Sequence, residues 1–125
     1  MPTSRRPANT PPVVFDDAAW GEDLTRVSAA GREVADAARR AYEQDGVPLA
    51  HLRACDSEGP DGTRLQNCVK VYLPQPHGRY GVVFAIERDA RGKLRLAFAG
   101  FGLRHPARGS RQPSVYRIAD RRLNP

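Results

Sequence analysis

The sequence lacks any long apolar run, and this absence limits the classes of protein that it can encode. Its longest uninterrupted apolar stretch is the eight residues from 96 to 103, whereas a membrane-spanning helix needs about 20. The first twelve residues carry positive charge but no apolar segment of the kind that a signal peptide contains. We therefore expect no membrane segment and no membrane partner.

Cysteine and histidine are also scarce. The chain has 2 cysteines, Cys55 and Cys68, and 3 histidines, which is typical of a protein in a reducing cytoplasm and unlike a disulfide-rich secreted domain. A bond between the two cysteines remains an alternative. His51 and Cys55 have a helical spacing, but no fourth zinc ligand is defined, so we expect no metal and no cofactor.

Acidic residues are rare in the second half of the chain. Residues 63–123 hold 13 Lys or Arg and 3 acids, whereas residues 1–62 hold 7 and 11, so local charges of +10 and −4 give the net +6. Such a concentration of positive charge favours an anionic partner. The alternative is a basic protein that is merely soluble.

The first half of the sequence predicts two helices. Residues 1–12 read as a disordered arm, and Asp16–Asp17 as a helix cap. Helical spacing of apolar residues then predicts a helical hairpin over 17–45, broken at Gly31, followed by a turn-rich connector over 43–62. The apolar stripe of the first helix comprises Trp20, Leu24 and Val27.

The second half predicts strands and one short helix. Alternating apolar residues over 65–73, 79–86 and 94–99, joined by short turns, indicate an antiparallel meander. The hairpin would cover one sheet face, and no obvious element covers the other. An arginine-rich loop follows, and then Ser114 is placed to cap a terminal helix. The chain is thus expected to be one α+β domain over 13–123.

This order of elements resembles the RelE/ParE toxin superfamily of bacterial toxin–antitoxin systems. The resemblance rests on four segments, NCVKVYL (67–73), GRYGVVFAIE (78–87), LRLAFAGFGLR (94–104) and SVYRIADRRL (114–123). It implies a RelE-like fold, with an N-terminal helical hairpin packed on a twisted antiparallel sheet and a short C-terminal helix. The chain departs from the family pattern at Tyr72, where a second lysine is common, and at Gly81, where an arginine is common.

The RelE-like branch cuts mRNA on the ribosome without a metal, by attack of a ribose 2′-hydroxyl on the adjacent phosphate. On that resemblance, the catalytic residues would be Lys70, Arg79, Arg104 and Tyr116. The expected RNA-binding residues, chosen on the predicted strands and the final loop, are Tyr72, Arg95, Arg108 and Arg111.

The implied partners are mRNA on the ribosome and a cognate antitoxin protein. Two alternatives stay open at this point. One is a ParE-like inhibitor of DNA gyrase, and the other is a non-catalytic nucleic-acid-binding protein of the same fold.

Overall fold

A mixed sheet of five strands and three helices make up the computed structural model, which describes residues 10–56, 58–59 and 62–125. The strand order is β1-β5-β4-β3-β2, with β1 parallel to β5 and every other neighbouring pair antiparallel. This confirms the α+β class. Within the described ranges, none of the helices has the length and apolar character that a membrane span requires.

In chain order the elements are β1 (Val13–Val14), α1 (Asp17–Leu24), α2 (Ala29–Asp45), a 3-10 turn (Leu49–His51), β2 (Arg53–Ala54), β3 (Cys68–Tyr72), β4 (Tyr80–Arg88), β5 (Leu94–Leu103) and α3 (Val115–Leu123).

The two edge strands correct the expectation of a wholly antiparallel sheet. β1 pairs in parallel with Leu96 and Ala97 of β5, and β2 adds an edge beyond β3 within the expected connector. Each is only two residues long, which is too short for an alternating pattern to reveal. The last residues of the expected disordered arm are ordered. Thr10 is buried, and the Pro12 carbonyl accepts from Leu96 N at 2.8 Å. Residues 1–9 lie outside the described residues.

Side-chain caps define where the helices begin. Asp16 caps α1 by accepting from Ala19 N at 3.1 Å, as expected. The break between the first two helices lies before Ser28 and not at Gly31, because the Ser28 hydroxyl accepts from Gly31 N and starts α2 there. The indole N–H of Trp20 donates to Asp36 at 3.0 Å and joins the two helices.

One face of the sheet carries the main core beneath α1 and α2. The alternation expected for the strands is confirmed, since Val71, Tyr80, Val82 and Leu96 are all buried on this face. Aromatic rings with centroids 5.2–5.8 Å apart fill the space between sheet and helices. The rings belong to Phe15, Trp20, Tyr80, Phe84, Phe98 and Phe101.

A β-bulge changes the phase of β5 halfway along the strand. Phe84 pairs with Phe98 but Val83 pairs with Gly100, so Ala99 is an extra residue. Phe98 and Phe101 consequently both lie in the core under the helices, while Ala99 packs on the opposite face. Strict alternation, which the sequence suggested, holds only on each side of the bulge.

Helix α3 covers much of the sheet face that was expected to be uncovered. Val115, Ile118 and Ala119 are buried on its inner side, as the terminal-helix pattern predicted. The approach is close at Gly100, where an added Cβ would lie 3.3 Å from the Val115 carbonyl oxygen and from Ala119 N. A glycine at that point lets the helix backbone lie directly on the strand.

An ion pair between a buried carboxylate and a partly exposed arginine joins α1, α3 and the bulge. Asp23 is fully buried and accepts from both terminal nitrogens of Arg122, at 2.9 and 3.0 Å. The same two side chains bond the backbone of β5, because Arg122 donates to the Ala99 carbonyl at 2.8 Å and Asp23 accepts from Phe101 N at 3.0 Å. The hydrogen bond to Asp23 raises the pKa of Arg122 above its ordinary value. Backbone groups at the bulge are thereby satisfied away from water.

We expect Asp23→Ala to lower the free energy of unfolding by about 3 kcal/mol, because it leaves the backbone N–H of Phe101 without its acceptor and removes the carboxylate that pairs with both Arg122 and Arg26. Asp17→Ala is the matched control, since the Asp17 side chain is 87% exposed and its pair with Arg39 lies at the surface. That change should cost less than about 1 kcal/mol. Urea denaturation of the two variants measures both values. Equal losses of unfolding free energy would contradict the inference that Asp23 contributes more to stability than a surface carboxylate does.

Candidate functional site

A cavity of about 520 Å³ opens on the α3 side of the sheet. Its walls come from five separate parts of the chain: the connector after β2, the segment before β3, β3 itself, the loop after β5 and the start of α3. The lining residues are Asp56, Gly59, Thr63, Leu65, Lys70, Tyr72, Arg104, His105, Pro106, Ser114 and Tyr116. Four of the residues expected to act on RNA therefore lie together.

Two cations and two tyrosine rings form the centre of this cavity. The Lys70 Nζ lies 5.0 Å from the centroid of the Tyr116 ring and 6.0 Å from that of Tyr72. The Arg104 guanidinium carbon lies 3.6 Å from the centroid of the Tyr72 ring. All three contacts have cation–π geometry, so the rings help to hold the positive groups in place.

Backbone contacts fix the position of Arg104 at the end of β5. Its N–H donates to the Arg79 carbonyl at 2.8 Å, and its guanidinium donates to the Gly78 carbonyl at 3.1 Å. The residue opposite Arg104 on β4 must lack a side chain, because a Cβ at Gly81 would lie 3.2 Å from the Arg104 Cγ. Gly81, one of the departures from the family pattern, thus makes room for the arginine that follows β5.

The start of α3 places Tyr116 against Lys70. Ser114 accepts from Arg117 N at 3.2 Å and caps the helix, as expected. Near its other end, Asp120 accepts from Arg64 N at 2.9 Å, which ties the helix to the segment before β3. That hydrogen bond holds the pKa of Asp120 below its ordinary value. The cavity wall formed by α3, which carries Tyr116, is therefore fixed to the wall formed by the segment before β3, which carries Leu65.

Asp56 and His105 line the cavity although the sequence analysis assigned neither to the site. Asp56 reaches it because β2 lies against β3, so that Cys55 N donates to the Cys68 carbonyl at 3.0 Å. A turn-rich composition gave no signal of that pairing. His105 directly follows Arg104, and this adjacency was the one signal that could have found it.

The remaining expected site residues do not line the cavity. Arg79 is exposed just before β4, with its guanidinium 5.2 Å from the Tyr80 ring centroid. Arg95 lies towards the other end of the sheet and pairs with Glu87 at 3.0 Å. Arg108 and Arg111 are exposed in the loop before α3. Contacts of these four arginines with RNA stay predictions.

Cys55 and Cys68 are both free thiols next to the cavity. Burial raises the pKa of the Cys55 thiol to about 12, and burial also raises that of Cys68. A thiol with so high a pKa carries little thiolate at neutral pH and is a poor nucleophile. The described residues contain no group of three or more His, Cys, Asp or Glu side chains placed to hold a metal.

The arrangement is chemically suited to a phosphate attached to a planar ring. Lysine and arginine supply positive charge, each held against a tyrosine ring, and His105 and Asp56 add polar groups to the cavity wall. Comparison of the chain with protein-family models, with curated proteins and with solved structures gives no match.

We expect Cys55 to react with iodoacetamide at pH 8 at least about tenfold more slowly in the folded protein than in denaturant, because its raised pKa suppresses the thiolate. Mass spectrometry of time points measures the rate, and Cys68→Ser isolates the Cys55 signal. Rapid labelling of the folded protein would contradict the raised pKa.

Proposed function

We propose that the protein is a RelE-like toxin that cleaves mRNA on the ribosome by attack of the ribose 2′-hydroxyl on the adjacent phosphate. The observation that carries this proposal is the convergence of Lys70, Arg104, Tyr72 and Tyr116 in one cavity. All four are also residues that the sequence pattern predicts to act on RNA. The topology of hairpin, meander and terminal helix also fits a RelE-like fold.

Positive charge is the main contribution that the chain makes to this reaction. Lys70 and Arg104 bind the scissile phosphate and stabilise the charge that develops on its oxygens in the transition state. Tyr72 lies against Arg104 and Tyr116 against Lys70, and in this proposal the ring face that the cation leaves open stacks on a base. Stacking aligns the 2′-hydroxyl with the phosphate, so that both positioning and positive charge lower the activation barrier.

Proton transfer involves the polar residues at the cavity wall. The 2′-hydroxyl must lose a proton and the leaving 5′-oxygen must gain one. His105 and Asp56 are cavity residues with suitable side chains, and Tyr116 is the third candidate. The cognate antitoxin, in this proposal, neutralises the toxin by covering the basic surface around the cavity with an acidic or amphipathic segment.

We expect Lys70→Ala to slow cleavage by roughly a hundredfold or more, because losing one well-placed charge raises the barrier by about 3 kcal/mol. The chain contains just one other lysine, Lys93, which is exposed in the turn between β4 and β5. Lys93→Ala is therefore a control of equal charge change and should leave the rate unchanged. Induced expression followed by primer extension on a reporter mRNA measures cleavage.

The same assay separates the alternatives. Tyr116→Phe should also slow cleavage while leaving the melting temperature nearly unchanged, since it removes only a hydroxyl from a half-buried side chain. Full toxicity of both Lys70→Ala and Tyr116→Phe, together with rising DNA-damage markers, would overturn the cleavage proposal in favour of gyrase inhibition. Absence of any growth defect from the unmodified protein would favour a non-catalytic nucleic-acid-binding role.

A further inference from the structure

Two positive side chains lie directly opposite each other at the β2 edge of the sheet. Arg53 of β2 and Lys70 of β3 are cross-strand partners, so both side chains project from the same face. Like charges in this relation repel each other and destabilise a strand pair. Within the described ranges, neither side chain forms an ion pair that would relieve the repulsion.

The chain handles charge differently elsewhere in the same sheet. Glu87 and Arg95 are cross-strand partners in β4 and β5, and their side chains form an ion pair at 3.0 Å. Such a pair stabilises the strands instead of separating them. The uncompensated pair at Arg53 and Lys70 is therefore a local exception, and a bound anion would remove its cost.

The side chains of Arg53, Lys70 and Arg104 all lie close to the ring of Tyr72. Its centroid lies 3.6 Å from the guanidinium carbon of Arg104, 5.7 Å from that of Arg53 and 6.0 Å from the Lys70 Nζ. Tyr72 is half-buried, whereas Arg53 is exposed and does not line the cavity. Positive charge thus continues from the cavity, past the tyrosine ring, to the outer strand of the sheet.

We propose that Arg53 binds a second phosphate of a single-stranded RNA whose first phosphate lies at Lys70 and Arg104. An RNA strand leaving the cavity would cross Tyr72 and reach β2, where the arginine fork is suited to phosphate oxygens. The choice of RNA over another anion rests on the proposed function, and three cations around one ring suit a strand that carries repeated phosphates. Because Arg53 does not line the cavity, the proposal assigns it to a second phosphate, so that a ligand of one nucleotide would not engage it.

Length dependence of binding tests this proposal. The probes are uridine 3′-monophosphate and a fluorescent tetranucleotide of 2′-O-methyluridine, which cannot be cleaved by 2′-hydroxyl attack. Arg53→Ala should weaken tetranucleotide binding about three- to tenfold and reduce the magnitude of its log–log salt slope by about 0.7, the value for one phosphate contact on a single strand. Binding of the mononucleotide should not change.

Arg91→Ala is the matched control, since Arg91 is exposed in the turn between β4 and β5 and its removal changes the net charge equally. Equal effects of Arg53→Ala and Arg91→Ala on the tetranucleotide would overturn the proposal, as would an equal loss for both probes. The proposal is also wrong if the unmodified protein does not bind the tetranucleotide, or if a poly-glutamate peptide is the only probe whose binding depends on Arg53. A protein that fails to cleave mRNA but shows the length-dependent loss contradicts the proposed function alone.

Discussion

The ion pair between the buried Asp23 carboxylate and Arg122 is the constraint on which the arrangement of the other elements depends. A buried pair adds little net stability by itself, because desolvation offsets most of the attraction. Here it has a second role, since it also bonds the Ala99 carbonyl and Phe101 N at the edge of β5 that β1 leaves open. Those groups would otherwise have no partner beside a bulge. The pair therefore fixes α1 and α3 to the same stretch of strand from opposite faces.

The bulge connects this constraint to the candidate site. Because Ala99 is an extra residue, both Ala99 and Gly100 lie on the side of α3, and Gly100 admits the helix backbone. Tyr116 lies on the same helix as Arg122, six residues earlier, which is about 9 Å along the axis. Anchoring one end of so short a helix directs its other end towards Lys70. The geometry of the cavity thus depends on contacts made at the far edge of the sheet.

Features fixed by short-range chemistry were the ones that the sequence could predict. Asp16 and Ser114 cap helices where their side chains reach the first free N–H groups, and the meander strands follow the period-two pattern. The break expected at Gly31 was wrong because Ser28 offered a stronger signal three residues earlier. Neither two-residue edge strand carries a periodic pattern, and the backbone beside the bulge bonds to Asp23, which is 78 residues from Phe101 in sequence. For the same reason Asp56 was missed, since it enters the cavity only through the pairing of β2.

Net charge alone does not distinguish the arginine that lines the cavity from those that lie outside it. Most of the positive charge lies in residues 63–123, yet Arg95 belongs to a surface ion pair with Glu87, and Arg108 and Arg111 lie in an exposed loop. Exposed charges of this kind raise association rates and are screened within about 10 Å at moderate salt. Lys70 and Arg104 differ because rings and carbonyls hold them in fixed positions. Only charges fixed in this way can stabilise a transition state in preference to the ground state, since they need no reorganisation as the charge develops.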